Sequence, residues 1–226
     1  MTTAQEFLTA ALDHVPFDGW TQAAFDAAAA DCGLTDEQAR GFFPRGAVDM
    51  ALAYHRQGDA EMVARLEAAD LDAMRFRDRI AAGVRFRLEL ADREVVRRGM
   101  TLFALPQHAG DGAAALWGTC DLIWNTLGDS ARDVNWYTKR ATLSAVYSAT
   151  VLYWLGDDSE GHAATWAFLD RRIDDVMRIE KFKAKARDNK LAQAFMAGPG
   201  KILDTIKAPG QPRPNYPGHW EQKDNQ

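Results

Sequence analysis

Apolar residues recur at helical spacing along nearly the whole chain, and strand-like alternation nowhere lasts more than a few positions. A 3.6-residue apolar period is typical of amphipathic helices. The pattern therefore predicts an all-α protein. Breaks at Pro, Gly, Asp and Ser divide the chain into segments, and these predict helices over about 4–14, 22–33, 35–42, 45–66, 72–91, 93–105, 109–127, 133–155 and 160–187.

The first 58 residues carry clear signals of helix starts and stops. Val15-Pro16 should end the first helix, because proline disfavours the helical conformation in the residue before it. Thr21 and Thr35 are suitable N-caps, and Gly33 is a suitable helix end. This order, together with Phe43-Pro44, resembles the helix-turn-helix domain of TetR-type regulators.

The charge of this region argues against DNA binding. Residues 1–58 contain three Arg side chains against eight Asp and Glu side chains, a net charge of −5. A helix that reads a DNA groove needs a positive field to meet phosphates. We therefore expect a degenerate helix-turn-helix-like region, with a DNA-binding transcriptional regulator as the alternative. Salt-sensitive gel shifts lost on substitution of Arg40 or Arg45 would favour that alternative.

Three helices of the second half carry apolar stripes that contain four tryptophans. Such stripes can enclose either a packed core or an apolar pocket, and helical periodicity does not distinguish the two. The candidate lipid-binding residues on these stripes are Trp117, Cys120, Ile123, Trp124, Leu143, Tyr147, Val151, Trp154, Trp166, Leu169 and Ile173. We expect the pocket between the helices that begin near residues 109, 133 and 160.

Composition narrows the classes of function. The net charge of −5 opposes a surface built throughout for nucleic acid, and Cys32 and Cys120 form no metal-binding or disulfide pattern. The sequence has no carboxylate–histidine spacing for a metal, no phosphate-binding loop and no nucleophile with a neighbouring base. We expect no catalytic residues, no metal and no cofactor, and therefore a binding protein rather than an enzyme.

The segment from Lys181 to Lys190 is a basic island in an acidic chain, followed by a weakly amphipathic stretch. Basic residues that lead into an apolar helix face are typical of segments that lie in an anionic membrane surface. The alternative is a helix packed on its own domain or on a dimer partner, and Gly198-Pro199-Gly200 interrupts the stretch. The candidate membrane-binding residues are Lys190, Leu191, Phe195, Met196, Lys201, Ile202, Leu203, Ile206 and Lys207.

These observations predict four regions. They are a degenerate helix-turn-helix-like region over 1–58, a ligand-binding helical bundle over 59–187, an amphipathic C-terminal helix over 188–207 and a disordered, proline-rich tail over 208–226. The N-terminus has no secretory signal pattern. We expect a cytoplasmic protein, peripheral to the inner face of the cell membrane.

Six stretches together resemble one family, the TetR-like lipid-binding accessory proteins of ubiquinone (coenzyme Q) biosynthesis. They are VPFDGWT (15–21), FFPRGAVDM (42–50), LWGTCDLIWNTLGD (116–129), DVNWYTKRATLSAVY (133–147), YWLGDDS (153–159) and TWAFLDRRIDDVM (165–177). The N-terminus shows no mitochondrial transit peptide pattern, as expected for a bacterial member of this family. The resemblance implies a homodimer, a pocket for an isoprenoid lipid or quinone intermediate, and an amphipathic helix that meets the membrane surface.

The resemblance also implies that a surface around Asn-Trp-Tyr-Thr contacts the demethoxyubiquinone hydroxylase. The candidate partner-binding residues are Asp133, Asn135, Trp136, Tyr137, Lys139 and Arg140. From helical spacing we expect Asp133 to cap its helix and Trp136 to lie near the mouth of the pocket. Tyr137, Lys139 and Arg140 should point outward as an aromatic and cationic docking patch.

Overall fold

The computed structural model describes residues 2–187 and 206–209. Within these residues the chain is all-α, which confirms the expected fold class, and it contains no strand. The α-helices are α1 (Ala4–Asp18), α2 (Gln22–Asp31), α3 (Asp36–Phe42), α4 (Ala47–Ala68), α5 (Phe76–Glu89), α6 (Arg93–Phe103), α7 (Ala109–Thr126), α8 (Val134–Leu155) and α9 (Ala163–Arg187). Short 3-10 helices span Leu71–Ala73 and Glu160–His162.

The N-terminal helices surround their own aromatic core. Phe7 and Phe25 are almost fully buried and meet edge to face, with ring centroids 5.3 Å apart. Thr21 and Thr35 cap α2 and α3 as predicted, accepting hydrogen bonds from the backbone N–H groups of Ala24 and Gln38. These caps satisfy donors that have no partner inside the helix.

Loss of a cap should weaken this region measurably. Thr35 and Gln38 form a reciprocal capping box, each side chain bonding to the other's backbone N–H. We expect Thr35→Ala to lower the free energy of unfolding by about 1 kcal/mol, measured by urea denaturation. Thr35→Ser keeps the hydroxyl and should cost much less; equal losses for the two variants would contradict a capping role.

Two predicted helix boundaries were wrong. Helix α1 continues through Pro16 to Asp18, because Pro16 lies in the last turn, where Arg98 donates two hydrogen bonds to its carbonyl. The predicted helix over 72–91 is interrupted, since Met74 and Arg75 have extended backbone between the 3-10 helix Leu71–Ala73 and α5. In the first case a contact specific to the fold outweighs the local preference.

A second apolar core is formed by α5, α7, α8 and α9 with the end of α4. Val84, Ile123 and Leu169 are among its most buried members. Helix α4 contributes Met50 to the first core and Met62 to the second, so it runs unbroken across the boundary predicted at residue 58. The four-region division stays a prediction.

No helix among residues 2–187 and 206–209 combines the length and apolarity needed to cross a membrane. The predicted amphipathic helix over 188–207 and the predicted tail over 208–226 lie almost wholly outside the described residues.

Candidate functional site

A cavity of about 390 Å³ lies between α4, α5, α6, α7 and α8, with Trp20 at one side. This volume is within the range of small-molecule sites, which are typically apolar clefts with a few polar groups. The apolar lining consists of Trp20, Ala51, Leu88, Val95, Val96, Gly99, Met100, Phe103, Ala104, Ala109, Gly112, Ala113, Ala115, Leu116, Val151 and Leu152. The polar lining consists of Tyr54, His55, Arg87, Tyr147 and Ser148.

Helix α6 forms one wall, and two of its arginines attach it to the C-terminal end of α8. Arg93 and Arg97 donate hydrogen bonds to the Leu155 carbonyl, at 2.9 and 3.1 Å. Small residues determine how closely the neighbouring helix approaches. A Cβ added at Gly112 would lie 2.7 Å from the Cβ of Phe103, so glycine permits α7 to pack directly on α6.

The cavity is open to solvent along an apolar edge. Met100 on α6 and Leu152 on α8 line it and remain 37% and 61% exposed. Ala113 on α7 also lines the cavity and is exposed. Exposed apolar side chains at the rim of a pocket indicate that its occupant, or another surface, covers them.

The opposite wall carries a buried network of charged and polar groups. The Arg87 Nε donates to the Asp59 carboxylate at 2.8 Å, and its Nη2 donates to the His55 carbonyl at 3.1 Å. Thr119 donates to Asp59 at 3.0 Å, and the His55 Nε2 lies 2.8 Å from the Thr119 hydroxyl. Gly58 makes room for this network, since a Cβ there would lie 2.7 Å from the Arg87 guanidinium carbon.

Burial determines the protonation of the polar lining. Burial lowers the pKa of His55, because the charged imidazolium is poorly solvated there. Burial also raises the pKa of Tyr147 to about 12. At neutral pH the cavity therefore presents a neutral imidazole and an intact phenol hydroxyl.

A second, smaller cavity of about 200 Å³ lies between α5, α7, α8 and α9. Its lining residues are Phe76, Ile80, Trp124, Asn135, Thr138, Lys139, Thr142, Leu143, Val146, Ile173, Val176 and Met177. This is the position at which helical periodicity predicts a pocket. The Trp124 indole N–H is buried and has no hydrogen-bond partner among the described residues.

The predicted lipid-binding residues divide between these cavities and the solid core. Tyr147 and Val151 line the larger cavity, and Trp124, Leu143 and Ile173 line the smaller one. The remaining six line neither cavity. Cys120, Ile123, Trp154 and Leu169 are packed in the second core, and the partly buried Trp117 and Trp166 lie outside both cavities.

Sequence reasoning missed most of the larger cavity. The contribution of α6 was overlooked, although Val95, Val96, Gly99 and Phe103 recur at helical spacing and α6 is strongly amphipathic. His55 and Arg87 were missed because nothing in their neighbouring sequence marks them as buried. The role of any of these residues in lipid binding stays a prediction.

The start of α8 is organised by a fully buried arginine, so the expectation that Arg140 points outward was wrong. Its guanidinium donates to Asp121, Asp129 and Asn125 at 2.5, 3.0 and 3.0 Å. It also lies 4.0 Å from the centre of the Trp136 ring. Three acceptors and an aromatic face compensate for the cost of burying this charge.

The remaining predicted partner-binding residues lie close together around this arginine. Asp133 caps α8 through the Asn135 backbone N–H, as predicted. Trp136 lines neither cavity and packs with Trp117 and Tyr137, at centroid distances of 5.9 and 4.8 Å. The Lys139 Nζ lies 2.6 Å from the Asp129 carboxylate, and the Lys139 side chain is 38% exposed. Because this carboxylate pairs with the ammonium group, the outward patch is more aromatic and less cationic than expected.

Residues 206–209 lie against the same end of α8. The Tyr137 hydroxyl donates to the Lys207 carbonyl at 3.2 Å, and the Ala208 N–H donates to the Arg132 carbonyl at 3.1 Å. Of the nine predicted membrane-binding residues, the structure describes only Ile206, which is partly buried, and Lys207, which is exposed. The other seven, Lys190, Leu191, Phe195, Met196, Lys201, Ile202 and Leu203, lie outside the described residues.

Two arginines of the helix-turn-helix-like region, one in α3 and one just after it, form ion pairs with carboxylates. Arg40 lies 3.1 Å from Asp36, and Arg45 contacts Asp49 and Asp111 at 2.8 and 3.0 Å. Within the described ranges, no group of three or more His, Cys, Asp or Glu side chains is arranged to hold a metal ion.

Comparison with known proteins identifies the family. The COQ9 family model matches residues 109–180. The ubiquinone biosynthesis protein COQ9, mitochondrial, of Drosophila melanogaster is 33% identical over 181 residues, which cover 77% of this chain and 55% of that protein. The human protein of the same name is 32% identical, over 76% of this chain and 57% of its own length. The chain thus spans little more than half the length of these relatives.

A solved structure supports the fold. The TetR transcriptional regulator from Nitrosomonas europaea superimposes with a TM-score of 0.63 at 18% identity, covering 76% of this chain and 95% of the regulator. At this identity the likeness concerns the fold alone, and it agrees with the helix order predicted for the N-terminal region. With the family match and the curated relatives, it leads to one conclusion: this chain belongs to the COQ9 family and has a TetR-like all-α fold.

Proposed function

We propose that this chain is a non-catalytic lipid-binding protein of ubiquinone biosynthesis. It binds an isoprenoid quinone intermediate and presents it, at a membrane surface, to the hydroxylase that acts on demethoxyubiquinone. The observation that carries the proposal is the cavity of about 390 Å³, whose lining is mainly apolar. The relatives are ubiquinone biosynthesis proteins, and this suggests the pathway.

The open apolar edge fits a long-chain ligand. A cavity of about 390 Å³ takes a ring and the first part of an isoprenoid tail, and the rest of the tail must leave past exposed side chains. Met100 and Leu152 provide such an exit. An apolar tail emerging there is costly in water, so the loaded protein favours contact with a membrane or a partner.

The aromatic surface at the start of α8 is the proposed contact with the hydroxylase. Trp136 and Tyr137 pack on Trp117, and aromatic residues with low side-chain entropy commonly dominate interface energies. The buried Arg140 guanidinium packs against the Trp136 ring of this surface, and Asp133 and Asn135 are exposed at its rim. The membrane contact is assigned to the candidate membrane-binding residues between Lys190 and Lys207, and the active form is proposed to be a homodimer.

Blocking the cavity mouth tests the proposal. Purified protein should carry a co-purifying isoprenoid or other long-chain lipid, detected by native mass spectrometry and lipid extraction. We expect Ala113→Trp to remove most of this lipid, because Ala113 is exposed and lines the cavity, so an indole there fills the mouth without disturbing the core.

Ala114→Trp is the matched control, since Ala114 is the next residue, is also exposed and lines neither cavity. It should keep its lipid. A wild-type protein that carries no lipid and takes up none from vesicles would refute the proposed function.

A further inference from the structure

Among the polar side chains that line the larger cavity, three lie together on one wall and retain hydrogen-bonding capacity. They are His55, Arg87 and Tyr147, and we refer to them as the polar cluster. Arg87 and Tyr147 are only 3% and 7% exposed, and both line the cavity. Polar atoms buried to this extent normally have a hydrogen-bond partner.

Part of the cluster is already engaged. The Arg87 Nε and Nη2 atoms bond to Asp59 and to the His55 carbonyl. The His55 Nε2 lies within hydrogen-bond distance of two oxygens, the Thr119 hydroxyl at 2.8 Å and the Ala115 carbonyl at 3.2 Å. A carbonyl only accepts, so the proton belongs on Nε2 and the Nδ1 of the neutral ring is an acceptor.

The remaining atoms are available to a ligand. Among the described residues, no acceptor is found for the Arg87 Nη1 or the Tyr147 hydroxyl, and no donor for the His55 Nδ1. Because burial raises the pKa of Tyr147 to about 12, its hydroxyl remains a donor at neutral pH. The cluster thus offers two donors and one acceptor to the cavity.

The charges determine what kind of head group fits. Arg87 is compensated by Asp59 at 2.8 Å, and burial keeps His55 neutral, so the wall has no net charge. A phosphate placed here would be a buried anion without a matching cation. A neutral ketone or phenol oxygen would instead satisfy the available donors and acceptor without adding charge.

We propose that the polar cluster is the binding subsite for the uncharged, oxygen-bearing ring head of the cavity's ligand. The head lies against Arg87, Tyr147 and His55, and the apolar tail runs outward between Met100 and Leu152. This inference rests on the proposed function, because it assigns the head-group class and the orientation of the same ligand.

The experiment compares the affinities of the full-length protein for ligands that differ only in their head group. Isothermal titration calorimetry in a non-ionic detergent would measure three probes that share one short isoprenoid tail. The first carries a benzoquinone ring, the second has no head group, and the third carries a phosphate. We expect the benzoquinone probe to bind most tightly. Tyr147→Phe should weaken it roughly five- to thirtyfold, the effect of one buried hydrogen bond, and leave the headless probe unchanged.

Tyr153→Phe is the control, because it removes a hydroxyl from the same helix at an exposed position outside both cavities. It should change none of the three affinities. Folding of each variant is checked by circular dichroism and urea denaturation, and Tyr147→Phe preserves the ring that packs in the core.

The outcomes separate the two proposals. Equal wild-type affinities for the quinone and headless probes, or equal weakening of both by Tyr147→Phe, would overturn the subsite while the lipid-binding function stands. Preference for the phosphate probe would overturn the uncharged head group. If no probe binds, the proposed function itself fails, and the subsite fails with it.

Discussion

Replacing Arg140 by methionine is expected to lower the free energy of unfolding by roughly 3–5 kcal/mol, which can unfold much of the population at physiological temperature. The side chain is fully buried and donates hydrogen bonds to Asp121, Asp129 and Asn125. Without it, the Asp129 carboxylate, only 2% exposed, loses a buried cation. Urea denaturation monitored by circular dichroism measures the loss.

The matched control is Lys139→Met. Lys139 bonds to the same Asp129 carboxylate at 2.6 Å but is 38% exposed, so solvent screens this ion pair. Loss of this ion pair should lower the free energy of unfolding by no more than about 1 kcal/mol. Similar losses for the two variants would contradict the central role of the buried arginine.

The same site predicts a change in acid sensitivity. Burial alone would raise the pKa of Asp129, but hydrogen bonds from Lys139 and Arg140 hold it below the usual range. A carboxyl group with a lowered folded-state pKa contributes stability above its unfolded pKa of about 4, and this stability is lost as the pH falls. Arg140→Met should raise the pKa of Asp129, so acid unfolding should begin at higher pH than in the wild type.

Arg87→Met is expected to have the second large effect, again roughly 3–5 kcal/mol, because it leaves the buried Asp59 without its cation. The double variant Arg87→Met/Asp59→Asn removes both charges and keeps an acceptor for the Thr119 hydroxyl. It should be more stable than Arg87→Met alone. Denaturant titration of the two single variants and the double variant gives the coupling free energy.

If the changes in unfolding free energy of the two single variants add up to that of the double variant, Arg87 and Asp59 do not stabilise each other. The lipid content of the double variant gives separate information, since both residues lie at or behind the cavity wall. A variant that folds but loses preference for a quinone head group would agree with the polar cluster as its subsite.

Helix order and type were predictable because they depend on local signals. Thr21, Thr35 and Asp133 cap the helices for which their position in sequence marks them. The apolar stripes identified the buried faces of α7, α8 and α9, and the motifs identified the family. Each of these signals is contained within a few turns of one helix.

The cavity and the burial of Arg140 were not predictable, because both depend on how separate helices meet. Periodicity marks Ile123 and Tyr147 alike as inward-facing, yet one is in solid core and the other lines open space. Arg140 follows a polar run that suggests exposure. Its partners Asp121 and Asn125 reach it from the preceding helix only after the chain has turned.

The larger cavity takes its walls from both cores, and this has a thermodynamic consequence. Trp20 and Ala51 belong to the first core, Tyr147 and Val151 to the second, and α4 joins the two. A ligand that needs all these walls binds only the folded chain. By mass action, a ligand at one hundred times its Kd would add about 2.7 kcal/mol to the free energy of unfolding. The lifetime of this protein in a cell would therefore depend on the supply of its own ligand.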